Sequence, residues 1–374
     1  MEGINKFETL FRPLKINNLT LRNRIVMAPM TRSMSSRGIP TQEVADYYAV
    51  RARAECGLII TEGVEIEHKA SSGYPDVPHF YGEEAIAGWR RVVESVHAAG
   101  GAIFPQLWHV GSVRKKGMPP NPEVPGYAPS PEPNPINEDA SEIPKEMSLK
   151  DINEVITAYV ESARNAKQIG FDGVEIHGAH GYLIDQFLWK HTNLRTDSYG
   201  GSMVKRTRLA KEIIMAVRQE VGEEYPIVFR YSQWKNGAFD AKLAHTPAEL
   251  EKFLDILVDA GVDLFHCSTR RYWEPEFEGS KLNLAGWTKK LTGKPSISVG
   301  SIGLDNETFN TLMGEKTSMT GIDRLLEMMA NDEFDLIAIG RMYLCDPKIA
   351  EKLHEGRLDD IIKFDVKCLE KLVR

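Results

Sequence analysis

Two histidines three residues apart, followed closely by a tyrosine, make His177-Gly178-Ala179-His180-Gly181-Tyr182 the most chemically suggestive stretch of this chain. Neutral imidazoles at that spacing can jointly donate two hydrogen bonds to one ligand oxygen. Such donors stabilise the negative charge that a carbonyl gains during reduction. Tyr182 can then supply a proton from the opposite side of the ligand. A zinc site requires further ligands that this spacing does not provide, so no metal is expected. A structural histidine pair and a loop-anchoring tyrosine are the plainer readings of the same residues.

Polar residues recur on one face of neighbouring strand-like runs. Side chains alternate along a strand, so Phe104, Gln106 and Trp108 share a face, as do Glu175 and His177, and Val228, Arg230 and Ser232. An inward Arg230 is costly unless partnered. It either pairs with Glu175 or contacts a bound ligand, and the two readings are compatible. The Gln106 amide either satisfies local backbone or matches a planar heterocycle carrying both a donor and an acceptor. Two glycine-containing strand ends, Gly300-Ser301-Ile302-Gly303 and Gly340-Arg341, suit phosphate. Glycine admits close backbone approach, and Arg341 can form a charge-assisted bidentate contact. These residues alone do not separate FMN from a sugar phosphate.

Eight short apolar runs must position these groups: 25–27, 58–61, 103–108, 174–177, 227–231, 264–267, 297–299 and 336–339. Helical stripes lie between most of them, as in 83–99 and 149–169, and several end at Gly100, Gly170 or Gly261. Eight such alternations predict an α/β fold, a (β/α)8 TIM barrel with loop excursions over its C-terminal face. An open Rossmann sheet is poorly supported, because no Gly-x-Gly-x-x-Gly joins a first strand to a helix. Residues 1–374 read as one domain. The proline-rich stretch 112–148 reads as an ordered excursion over the barrel mouth, with a small hairpin, and 303–330 as a second enlarged connection.

Composition is that of an ordinary globular protein, with 42% apolar and 26% charged residues in 374. A net charge of −7 argues against a nucleic-acid partner. No apolar run is long enough to span a membrane, and the opening residues lack a secretory pattern. Cys56, Cys267, Cys345 and Cys368 are too dispersed for a zinc or iron–sulfur motif. Free thiols in a reducing cytoplasm are therefore expected. Monomer and homo-oligomer are both open.

Taken together, the motifs resemble the old yellow enzyme family of FMN-dependent NAD(P)H oxidoreductases. The likeness covers nearly the whole chain. It runs from Asn23-Arg24-Ile25-Val26-Met27-Ala28-Pro29-Met30-Thr31-Arg32 through Thr61-Glu62-Gly63 and Gln106-Leu107-Trp108-His109-Val110-Gly111. It continues through the long block from Val174 to Leu188 and Asn193-Leu194-Arg195-Thr196-Asp197 to Gly340-Arg341. Where many relatives read Ser-x-Glu-Asn-Arg, this chain reads Ser202-Met203-Val204-Lys205-Arg206.

The resemblance implies that Pro29, Thr31, Gly63, Gln106 and Arg230 border the isoalloxazine of FMN. It implies a phosphate cradle of Gly300, Ser301, Gly340 and Arg341. His177 and His180 would orient the oxygen of an activated alkene, Tyr182 would protonate it, and Trp108 and Trp273 would line the substrate. Arg195 and Asp197 would brace a loop. The implied reaction is a ping-pong cycle carrying hydride from NADH or NADPH to the C=C bond of an α,β-unsaturated carbonyl. A phosphate-binding barrel hydrolase or lyase without flavin, and a non-catalytic FMN-binding protein, are the competing readings.

Overall fold

The structure, a computed structural model, describes residues 6–136, 142–303 and 322–374. Eight parallel strands close into a barrel in chain order. They are β1 (Ile25–Met27), β2 (Leu58–Glu65), β3 (Ile103–Trp108), β4 (Val174–His180), β5 (Ile227–Lys235), β6 (Leu264–Ser268), β7 (Ser296–Val299) and β8 (Leu336–Ile339). Each is followed by an outer helix: α1 (Gln42–Arg53), α2 (Glu83–Ala98), α3 (Leu149–Ile169), α4 (Arg208–Val221), α5 (Pro247–Ala260), α6 (Leu284–Thr292), α7 (Ile322–Ala330) and α8 (Ile349–His354). The predicted TIM barrel is the observed fold, and all eight predicted strands fall on barrel strands.

Local signals explain the helix bounds. Ser148 and Asp151 form a reciprocal capping box that starts α3, and Gly170, at φ 94°, ends it. Thr246 caps α5, Pro247 opens it and Gly261, at φ 110°, closes it. Their apolar stripes pack on the outer faces of the strands within the larger core cluster.

A separate apolar cluster fills the barrel's interior. Val26, Leu58, Ile60, Phe104, Val228, Leu264, Ile297 and Leu336 belong to it. Ile16 and Leu21 join from an antiparallel hairpin, Leu14–Ile16 with Leu19–Leu21, and close one end. Full burial of each such side chain is worth about 1.5–3 kcal/mol. Two residues further along the strands the interior turns polar, with Gln106, Glu175, Arg230 and His266 all buried. Catalytic groups of this fold sit at that C-terminal rim.

Arg114 explains why the proline-rich excursion is ordered. Its buried guanidinium donates to the carbonyls of Ser72, Met118, Pro119, Asn121 and Val124. The predicted hairpin is corrected: Tyr127–Ala128 and Lys145–Glu146 pair in parallel. The strands run the same way, so a long return segment replaces a tight turn. Residues 137–141 of this excursion and 304–321 of the 303–330 connection lie outside the described residues. Leu325, Leu326, Met328 and Met329 are buried in α7, as expected of helix packing.

The expectation of four free thiols is also corrected. Cys56 and Cys267 are free and buried, whereas Cys345 and Cys368 form a disulfide. The C-terminal segment folds back toward Arg32 and Arg51, which donate to the carbonyls of Cys368, Lys371 and Val373. That return brings two cysteines 23 residues apart in sequence to a Cα–Cα distance of 5.4 Å. Among the described residues no helix is long and apolar enough to cross a membrane.

Candidate active site

The end of β4 carries the two histidines on a strained turn. A register shift against β5 falls between Gly178 and His180. Bulges of this kind re-aim side chains beside active sites. His180 itself has φ 65°, followed by Gly181 at φ 80°. A non-glycine residue adopts that region only when its surroundings hold it there. Here the His180 N–H donates to Ser232 Oγ at 3.0 Å, and the Gly181 N–H to Asp185 Oδ2 at 2.8 Å. Asp185 is fixed in turn by Lys235 Nζ at 2.6 Å. Asn134, from the excursion, and Gln186 both donate to the Gly181 carbonyl.

This turn brings the predicted triad together. The His177 and His180 rings stand 5.3 Å apart at 87°, and the His177 and Tyr182 rings 5.1 Å apart at 81°. Trp108 meets Tyr182 edge-on at 4.9 Å and lies roughly parallel to His177 at 6.1 Å. The Ala179 N–H donates to His177 Nδ1 at 3.2 Å, so the neutral ring keeps its proton on Nε2. His180 Nε2 lies 2.7 Å from Ser268 Oγ. With that hydroxyl as donor, the His180 proton sits on Nδ1. Burial, and next the Arg230 charge, hold both imidazoles well below their ordinary pKa. Both are therefore neutral donors near pH 7.

Tyr182 is buried, with its hydroxyl 3.1 Å from that of Tyr74. Burial, and next Tyr74, push its pKa well above the ordinary phenol value. It keeps its proton, the state a general acid requires.

Below the triad lies a polar edge. Gln106 Nε2 donates to Glu175 Oε1 at 2.7 Å, and His266 Nδ1 lies 2.7 Å from Glu175 Oε2. Glu175 is thus engaged by Gln106 and His266, and the Arg230–Glu175 pair weighed from sequence does not form. Arg230 is buried and its Nε has no hydrogen-bond partner. A buried guanidinium nitrogen left this way is a site for a ligand acceptor. Gly63 follows a register shift in β2, and a Cβ there would meet Trp108 at 2.4 Å.

At the β7–β8 corner Gly300 has φ 149°, and a Cβ would meet the Thr269 carbonyl oxygen at 2.5 Å. Ser301 follows in the left-handed region at φ 50°, and Arg341 Nη2 donates to its hydroxyl at 3.2 Å. Gly340 abuts Met30, where a Cβ would lie 3.2 Å from Sδ. Pro29 is buried after β1, and Thr31 is exposed beyond it. The next two N–H groups, of Arg32 and Ser33, donate to Glu62. A phosphate corner, an unmatched guanidinium and an amide edge are the features FMN requires, so these residues fit it.

Among the described residues the Trp273 ring is in contact with none of the triad rings. It stands edge-on to Tyr272 at 5.1 Å, and its carbonyl accepts from Arg324. Trp234 flanks the triad, stacked on His180 at 4.4 Å. Tyr74, Asp185, Trp234, Lys235, His266 and Ser268 were all missed as site residues. Alternation along β6 places His266 with Leu264 and Ser268 on one face, which was a readable signal. Arg195 and Asp197 brace a loop as expected, pairing at 2.6 Å while Arg195 also binds the carbonyls of Pro129 and Met147.

The glycine corner with Arg341 between β7 and β8, and the buried polar side chains on β3 and β5, suit FMN in a TIM-barrel oxidoreductase. Residues 9–360 match the model of the NADH:flavin oxidoreductase / NADH oxidase family. A flavin oxidoreductase, hxnT, of Emericella nidulans is 32% identical over 98% of this chain and 95% of its own length. An NADH oxidase of Thermoanaerobacter brockii is 35% identical over 96% of this chain, which spans only 52% of that protein. Morphinone reductase in complex with tetrahydroNAD superposes with a TM-score of 0.80 at 28% identity, over 96% of this chain and 93% of that one. This chain belongs to the NADH:flavin oxidoreductase / NADH oxidase family, the old yellow enzyme family. FMN is its cofactor, and neither flavin-free hydrolysis nor passive flavin binding is favoured.

Proposed function

We propose that the protein uses NADH or NADPH to reduce the C=C bond of α,β-unsaturated carbonyl compounds or similarly activated alkenes. Bound FMN supplies the two-electron chemistry that links nicotinamide to alkene. Pro29, Thr31, Gly63, Gln106 and Arg230 hold its ring, and Gly300, Ser301, Gly340 and Arg341 its phosphate. His177 Nε2–H and His180 Nδ1–H bind the substrate oxygen and stabilise its gathering negative charge. Tyr182 delivers a proton to the α-carbon. Trp108 borders the alkene, and buried walls limit water.

The observation that carries this reading is the hydrogen-bond bookkeeping of the two imidazoles. The Ala179 N–H occupies His177 Nδ1 and leaves that ring's proton on Nε2, and with the Ser268 hydroxyl donating to His180 Nε2 the His180 proton sits on Nδ1. Two neutral donors suit a carbonyl oxygen better than a cationic substrate. Purified holoenzyme should bleach anaerobically on addition of NADH or NADPH and recover its colour with cyclohexenone, yielding cyclohexanone. Bleaching without recovery, or recovery without a saturated product, removes the alkene from the reading.

A further inference from the structure

The buried layer beneath the site contains a carboxylate for which the proposed chemistry has no use. Glu175 is fully buried, and an ionised side chain there is costly without partners. Both its oxygens are engaged, Oε1 by Gln106 Nε2 and Oε2 by His266 Nδ1, each at 2.7 Å. His266 is fully buried too, and its Nε2 has no hydrogen-bond partner.

We propose that Glu175 is a positioning residue for the flavin edge: anchored by His266, it turns the Gln106 amide so that Oε1 faces the cofactor. This rests on Gln106 and Arg230 being ring contacts. A glutamine offers a donor on one side of its amide and an acceptor on the other. A carboxylate only accepts, so flipping Gln106 sets two oxygens against each other. With Nε2 committed to Glu175, the site presents an acceptor to the ring's imide N–H. Burial lowers the His266 pKa even though Glu175 opposes it, so His266 is a neutral donor through Nδ1.

The same carboxylate adjusts the field at the ring. Arg230 lies between His177 and His266 in the strand register, and Glu175 raises its pKa against the effect of burial. The negative charge near the guanidinium offsets part of its pull on the electron-rich, reduced flavin. Glu175 therefore makes bound flavin harder to reduce than Arg230 alone would, while keeping Gln106 in its matching orientation.

The test is the midpoint potential of holoenzyme, read together with the nitrogen NMR signal of the flavin imide. Glu175→Gln should shift the reduced-to-oxidised equilibrium about tenfold toward reduction, about 30 mV for a two-electron couple. The imide signal should move as well, because the neutral amide permits Gln106 to flip. His266→Leu, which removes the anchor but keeps the Glu175 charge, should move the imide signal and serves for the positioning role if the first variant does not hold FMN. Unchanged potential and imide signal in either flavin-bound variant overturn the proposal. Gln106→Leu separates the two levels. If it shifts the imide signal while Glu175→Gln does not, only the positioning role falls. If it too is silent, the ring contact itself falls.

Discussion

Lys235 Nζ sits 2.6 Å from Asp185 Oδ1, and both side chains are fully buried. Burial and pairing act oppositely on both groups, burial being the larger effect: it raises Asp185 and lowers Lys235. Asp185 also accepts the Gly181 N–H, so the ion pair underlies the turn that carries His180 and Tyr182. Lys235→Met leaves a buried carboxylate without its cation, which costs about 3–5 kcal/mol. Denaturant unfolding should register that loss. Adding Asp185→Asn should recover part of it, because the amide oxygen still accepts from Gly181.

Ser268 governs His180 in a different way. Ser268→Ala removes the hydroxyl 2.7 Å from Nε2, so the ring is free to place its proton on either nitrogen. Enone turnover per bound flavin should fall severalfold, well short of the roughly hundredfold loss expected for His180→Ala as an oxyanion donor. FMN affinity should be unchanged in both. Equal turnover in Ser268→Ala and the parent would remove the tautomer assignment.

Tyr182→Phe keeps the ring that packs against Trp108 and deletes the proton donor. General acids of this kind contribute about a hundredfold or more. Stopped-flow traces should show a slowed alkene half-reaction and a nearly unaltered nicotinamide half-reaction. Equal impairment of the two points to a structural role for Tyr182.

Glu62 provides a pH signature. Burial pushes its pKa from 4.5 up to about 7, with the N–H groups of Arg32 and Ser33 opposing the shift. The folded state then binds more protons than the unfolded chain between those values. Glu62 therefore stabilises the fold most below pH 4.5, and that contribution is lost as pH rises through about 7. The span corresponds to about 3 kcal/mol. Glu62→Gln keeps an acceptor for both N–H groups, so its thermal stability should gain on the parent steadily across that window. A constant difference between the two melting curves would contradict the assignment.

The barrel was legible because its signals are local. Apolar runs, helical stripes and terminal glycines such as Gly170 each act over a few residues. Period-two alternation also placed Gln106, His177 and Arg230 inward without any coordinates. Partner choice was less accessible. Glu175 was offered to Arg230 on the neighbouring β5, yet its hydrogen-bond partner is His266 on β6, one strand further round the closed barrel. Lys235 ends a strand that reads as ordinary, and its burial depends on Asp185 in another element.

Sequence alone determined the eight-stranded barrel, the FMN family and the histidine–tyrosine unit, since short-range periodicity and contiguous motifs encode them. Tertiary structure alone decided the Cys345–Cys368 link, the stacking of Trp234 on His180 and the His177 ring nitrogen that carries the proton. Those depend on which distant groups meet once the chain closes, and hydrogen bonds only a few ångströms long leave no imprint on the linear order of residues.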